Sequence, residues 1–152
     1  MVQELLPTQD LVPHCFCCGP ANPSGLKLRF AREDDSTVST RFTPPSEWTG
    51  FGRILHGGFQ ALLLDETMCW APWGLREVRS FVTRGMSLTY LQPVYVERPL
   101  VVIGRLVEDR RREILTEGEI RGADGRVLTT ATASLMRVPA AKMASIMWPP
   151  RG

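Results

Sequence analysis

One stretch limits what this chain can fold into more than any other: from Gly57 to about Trp70 it is helical in period and apolar nearly all round. Phe59, Leu62, Leu63, Glu66 and Trp70 recur at helical spacing, and Ala61, Leu64 and Met68 line a second face. A helix with so little polar circumference belongs inside a protein, covered by other elements. Pro72 and Gly74 are expected to stop it.

What covers it is expected to be sheet. Residues 27–30 alternate weakly, and 36–42 place Val38, Thr40 and Phe42 on one face. Asp34-Asp35 is a turn between these two short strands, and Pro44-Pro45 ends the second because neither proline can donate to a ladder. After the helix come four β-like segments, roughly 80–91, 100–108, 113–121 and 126–138. Pro93 and Pro99 bracket the first connection, 109–112 form the second, and Ala123-Asp124-Gly125 makes a hairpin turn. The pattern is strand, strand, buried helix, then four strands in antiparallel hairpins. A curved antiparallel sheet wrapped around one long buried helix satisfies it, an α+β hotdog fold. The expected divisions are an irregular N-terminal lead-in over 1–26, the hotdog domain over 27–138 and a tail over 139–152. That tail is read as irregular, with a short helix allowed over 140–147.

A length of 152 residues suits one domain with a real core and no need of disulfide or metal staples. The net charge of +2 and the lack of a basic stripe argue against a nucleic-acid partner. No apolar run is long enough to span a bilayer. The first residues, with Glu4 and Pro7, do not read as a signal peptide, so a cytoplasmic protein is expected. Three of the four cysteines, Cys15, Cys17 and Cys18, sit within four residues, which suits reduced thiols better than a disulfide framework.

Chemistry concentrates in His56-Gly57-Gly58 and in Asp65-Glu66, further along the same helix. Glycines at a helix start let a ligand approach the backbone, where free N–H groups and the positive end of the dipole point outward. Such a site can hold the oxygen that turns negative when a thioester carbonyl is attacked. Two carboxylates in an otherwise apolar helix need a cleft, a partner or an interface. On one helix, Gly57 and Asp65 are separated by about 12 Å along the axis. Groups so far apart cannot touch one carbonyl carbon. If both serve one reaction, a second subunit with an antiparallel helix must supply the missing half, and a two-fold axis gives two equivalent interfacial sites.

His56-Gly57-Gly58 followed by a carboxylate nine residues after the histidine resembles the PaaI-type acyl-CoA thioesterases of the hotdog superfamily. The stretch from Phe81 to Pro93 is similar to the strand those enzymes place after the helix. Cys15-Phe16-x-Cys18-Gly19 with Asn22-Pro23-x-Gly25-Leu26 is similar to the N-terminal segment of one branch of them. The resemblance covers about residues 15–138. It implies hydrolysis of acyl-CoA with Asp65 as nucleophile or general base, Gly57 as backbone oxyanion donor, His56 orienting the thioester carbonyl and Thr83 near the attacking water. It implies no metal and no cofactor, CoA being part of the substrate, and a homodimer or a dimer of dimers. Relatives often carry Asn or Gln about six residues before the histidine, where this chain has Gly50.

Other residues carry weaker expectations. Glu66 points about 100° from Asp65 around the helix and ranks second as a catalytic candidate, with a structural ion pair the plainer reading. Gly58 is expected beside the substrate, and Cys69, one turn after Asp65, lines either the acyl pocket or the core. Arg110, Arg111 and Arg112 either contact CoA phosphates or form a solvated turn. Trp70 and Trp73 either bound an acyl pocket or pack the core, packing being the safer expectation. The sequence of cysteines around His14 does not make a good zinc site, because it lacks a second C-x-x-C and adjacent ligands crowd one ion. A non-hydrolytic acyl-CoA-binding module is the rival reading, supported by Gly50; a hotdog hydratase is third, since neither histidine has an acid suitably placed.

Overall fold

A computed structural model describes residues 4–7 and 12–147; 1–3 and 8–11 of the lead-in and 148–152 of the tail lie outside the described residues. Among the described residues seven strands form one antiparallel sheet: β1 (Glu4–Leu5), β2 (Ala31–Arg32), β3 (Thr37–Phe42), β4 (Phe81–Tyr90), β5 (Leu100–Asp109), β6 (Glu113–Arg121) and β7 (Val127–Arg137). Their order is β1-β2-β3-β5-β6-β7-β4. The long helix α1 (Gly57–Arg76) packs across β3, β5 and β6 and also touches β4 and β7. A second helix, α2 (Ala140–Met147), follows the last strand, so the tail takes up the helix allowed there. The α+β expectation holds.

Four details differ from the sequence reading. The strand expected over 27–30 begins only at Ala31, because Lys27 sits at φ 53°, a left-handed value no strand residue takes. The lead-in contributes β1, paired to β2. The helix does not stop at Pro72 or Gly74; it runs to Arg76 and ends on Glu77 in the left-handed region. Proline removes one donor, and the buried residues Trp70, Ala71, Pro72 and Leu75 hold this last stretch in the core. Lastly, β5, β6 and β7 form the expected hairpins, but β4 pairs with β7 and becomes an edge strand. The connection from β4 to β5 crosses over the start of α1, where the Leu55 N–H bonds the Val94 carbonyl at 2.7 Å.

Two glycines let the helix settle so close. Gly104 of β5 and Gly118 of β6 face each other across the ladder, directly beneath Leu64, Thr67 and Met68. Leu63, Leu64, Thr67 and Met68 are fully buried against the sheet. Burial is not complete all round, however. Gly58 is exposed, and Ala61, Leu62, Asp65 and Cys69 remain half-buried along one stripe of the helix. The sheet of one chain covers only one side of α1.

The helix start is fixed by a buried polar relay. The Thr129 hydroxyl donates to Gln60 Oε1 at 2.6 Å, and Gln60 Nε2 donates to the Leu55 carbonyl at 3.2 Å. Both side chains are buried. Thr129→Val leaves the Gln60 oxygen buried without a donor, and urea denaturation should show a loss of about 2 kcal/mol. An unchanged midpoint would mean that water reaches that oxygen.

Candidate active site

His56 is the N-cap of α1: its Nδ1 accepts the Gly58 N–H at 2.9 Å. An imidazole accepting at Nδ1 carries its proton on Nε2 when neutral, so the exposed ring offers a donor to a ligand. The Gly57 N–H, by contrast, has no acceptor among the described residues and stays available at the positive end of the helix. Tyr90, at the far end of β4, donates its hydroxyl to the Gly57 carbonyl at 3.0 Å. A Cβ at position 57 would lie 2.9 Å from that hydroxyl, so any larger residue there must displace the tyrosine. These groups border a cleft of about 720 Å³ that also includes Gly50, Gly58 and Gln92.

Two helical turns on, Asp65 is half-buried and accepts the Thr83 hydroxyl on Oδ1 at 2.8 Å. A bulge in β4 between Thr83 and Gly85 re-aims the strand at this point. Cys69 Sγ lies 3.5 Å from the Thr83 hydroxyl and 3.9 Å from the Asp65 carboxylate. Burial pushes the Cys69 thiol up to about 12, so it sits there as a neutral group. Cys69, Thr83, Trp70, Trp73 and Phe81 line a second cavity, about 190 Å³. One chain therefore holds two separate groups of residues: a donor cleft at Gly57, and the Asp65 carboxylate bonded to Thr83, which lines the second cavity.

Glu66 turns to the other side of the helix. It accepts Trp70 Nε1 at 3.2 Å and lies 3.7 Å from Cys15 Sγ, and it forms no ion pair among the described residues. The expected structural ion pair is not formed among the described residues, and the Trp70 indole N–H is the donor that meets this carboxylate. Burial pushes its carboxyl up to about 7. Nearby, the Cys17 and Cys18 thiols hold Cys15 well below the usual thiol range, and the contact with Cys15 holds both of them above it.

Gly50 stands beside His56, 3.3 Å from the His56 Cα as judged from the place of an added Cβ. The position therefore belongs to the site, and it brings no side chain. Arg110 is engaged by Glu108 at 3.0 Å and Glu113 at 3.3 Å, while Arg111 and Arg112 are exposed on the β5–β6 turn. Glu113, Met136 and Val82 form one row across β6, β7 and β4, which puts this turn at the Thr83 end of the sheet. Sequence reasoning gave no role to Tyr90. Its contact with Gly57 joins residues 33 apart, and no local pattern signals it.

The thioesterase superfamily model matches residues 52–129, half of the 152-residue chain. A protein of Saccharolobus solfataricus named for esterase activity is 28% identical over 88 residues, which is 58% of this chain and 62% of that protein. The chain thus spans less than two thirds of that relative's length. A thioesterase superfamily protein of known structure is 26% identical, with a TM-score of 0.74 over 91% of this chain and 68% of that one. A thioesterase-type protein of Streptococcus pneumoniae TIGR4, solved with coenzyme A, has the same fold at 20% identity, with a TM-score of 0.67 over 73% of this chain and 85% of that one. The Escherichia coli PaaI protein shares it at 14% identity, with a TM-score of 0.65 over 71% and 81% of the two chains. With the superfamily's pattern running from the turn before the helix into the last strand, and with the hotdog architecture around it, this chain belongs to the thioesterase superfamily.

Proposed function

We propose that the protein hydrolyses acyl-CoA thioesters at two equivalent sites, each shared between two copies of the chain. The observation that carries this reading is how β4 runs beside α1. Thr83 bonds Asp65 and Tyr90 bonds Gly57, so the strand spans both half-sites. It is also a ten-residue edge strand, with exposed residues along its length. Long open edges invite pairing. Two such strands joined antiparallel about their middle bring Thr83 and Asp65 of one copy level with Tyr90 and Gly57 of the other. The half-buried stripe of Ala61, Leu62 and Asp65 is then covered as well.

In that site Asp65 takes a proton from water as the water oxygen bonds the carbonyl carbon, or attacks that carbon itself to give an anhydride that water then cleaves. Thr83 holds the carboxylate and the water in place. The partner's Gly57 N–H receives the oxyanion, with His56 Nε2–H beside it. The C–S bond breaks and CoA leaves as thiolate, taking up a proton. The acyl group occupies the cavity at Cys69, Trp70, Trp73 and Phe81. At about 190 Å³ it falls below the roughly 300–1,000 Å³ of drug-sized ligand pockets, which favours a compact acyl or aryl group. Arg111 and Arg112 are available to CoA phosphates.

Gly50 favours one rival: without an amide beside His56, the same cleft binds acyl-CoA and leaves it intact. A panel of acyl-CoAs decides between them, with thiol release followed alongside calorimetric binding. Hydrolysis predicts free thiol with compact acyl groups and falling rates with long chains. Tight binding without thiol establishes the binding module instead, and neither binding nor release with any member overturns both.

A further inference from the structure

Where the lead-in meets α1, beside the cavity that Cys69 and Thr83 also line, three ligand-bearing side chains come together. Cys15 Sγ, Cys18 Sγ and a Glu66 carboxylate oxygen all lie within 4.8 Å of one another. We propose that these three side chains bind a zinc-class divalent cation that fastens the N-terminal segment to the central helix. The site shares a cavity with the proposed acyl pocket, but its metal content is read without reference to hydrolysis and needs no second copy of the chain.

The geometry resolves what the sequence left crowded. Cys15, Cys17 and Cys18 do not act as three adjacent ligands, because only Cys15 and Cys18 converge with Glu66. That pair is a C-x-x-C, the spacing of structural zinc sites. Its turn is tight: the Gly19 N–H donates to the Cys15 carbonyl at 2.8 Å, and a Cβ at Gly19 would sit 2.4 Å from the Cys15 nitrogen. The second half of the site comes from α1 and is distant in sequence, which is why no motif shows it. Metal–sulfur bonds of about 2.3 Å and metal–oxygen bonds of about 2.1 Å give a tetrahedron with a sulfur–oxygen edge of about 3.6 Å. Cys15 Sγ stands 3.7 and 3.9 Å from the two Glu66 oxygens.

Two further observations fit a cation. A ligating carboxylate is normally held by a hydrogen bond of its own. Trp70 Nε1 supplies one to Glu66 Oε1 at 3.2 Å, from a ring that is 4% exposed and stacked on Phe30 with 4.8 Å between centroids. Glu66, half-buried, also has no positively charged side chain against it among the described residues. A divalent ion would balance the charge that this pocket otherwise leaves unmatched. Cys15, Cys18 and Glu66 all line the 190 Å³ cavity and Cys17 does not, so the fourth corner opens on the same space that the proposed acyl group enters. The ion would thereby stiffen the wall opposite Thr83.

The test is metal content and spectroscopy on the whole protein, purified with reductant and equilibrated with zinc, then dialysed. The expected result is about one zinc per chain, and thiolate-to-metal charge-transfer absorption when cobalt(II) replaces it. Cys18→Ser and Glu66→Gln should each weaken zinc binding at least about 10-fold, the lower bound for losing even an outer-shell partner. Circular dichroism checks that both variants fold; Glu66→Gln, nearly isosteric, keeps the test sound if Cys18→Ser does not. Retention of less than a tenth of an equivalent by the native protein, or zinc binding unchanged in both variants, overturns the site.

Discussion

Asp65→Asn should lower kcat for acyl-CoA hydrolysis by about 10³-fold, the range expected when a general base is removed, while acyl-CoA binding stays close to native. The amide keeps the shape of the side chain and an oxygen that can accept the Thr83 hydroxyl, so the 2.8 Å contact and the packing of the helix survive. Only the basicity is lost. A drop confined to kcat, read beside an unchanged dissociation constant from calorimetry, is the signature of a group needed in the transition state. Because the reading divides each site between two chains, the variant also gives a test of that division. Gly57→Ala puts a methyl 2.9 Å from the Tyr90 hydroxyl, and on this reading it crowds the approach to the amide enough to block turnover. A mixed dimer of Asp65→Asn and Gly57→Ala chains then holds one site with both lesions and one with neither. Co-expression should recover up to half the native turnover per dimer, although each variant alone is inactive. Turnover within threefold of native in Asp65→Asn would remove the carboxylate from the chemistry, and failure of the mixed dimer to recover would put both halves in one chain.

The sequence made the helix legible because its apolar residues cover too much of the circumference for any other home, and four of the strands because they alternate between clear turns. It could not show that β4 leaves the hairpin series to lie beside β7. That pairing is set by the crossover at the start of α1, through contacts such as Leu55 with Val94, which join residues far apart in the chain. Pro72 misled for a related reason. Local propensity says stop, but the buried surface of Trp70, Ala71 and Leu75 outweighs one missing donor. Around the helix, spacing was enough to turn Asp65 and Glu66 to different partners, Thr83 for one and Trp70 for the other. It was not enough to find Tyr90 under the glycine or Glu66 among the thiols, since both contacts are made between elements.

Gly104→Ala should destabilise the fold by about 3 kcal/mol, more than any other single methyl added to these strands. The added carbon would lie 2.4 Å from the Thr67 carbonyl oxygen and 3.0 Å from the Met68 Cα. These are backbone atoms of α1 and cannot rotate away, so the helix itself must lift from the sheet. Gly118, its partner across the ladder, sets the comparison: a methyl there meets Met68 Cγ at 2.9 Å and Leu64 Cδ2 at 3.0 Å, side-chain atoms that can shift. Gly118→Ala should cost about 1 kcal/mol. Gly85→Ala, where nothing of its own chain lies within 4 Å, should cost no more than about 0.5 kcal/mol in packing within the chain. Urea midpoints at constant m-value order the three. Equal losses at Gly104 and Gly118 would mean that the helix yields as easily as a methionine side chain. Lifting α1 also draws Asp65 away from Thr83, which is anchored on a different strand. The Gly104 variant should therefore lose activity at urea concentrations where it is still folded, as the seat of the helix fixes both the core and the distance the carboxylate must keep.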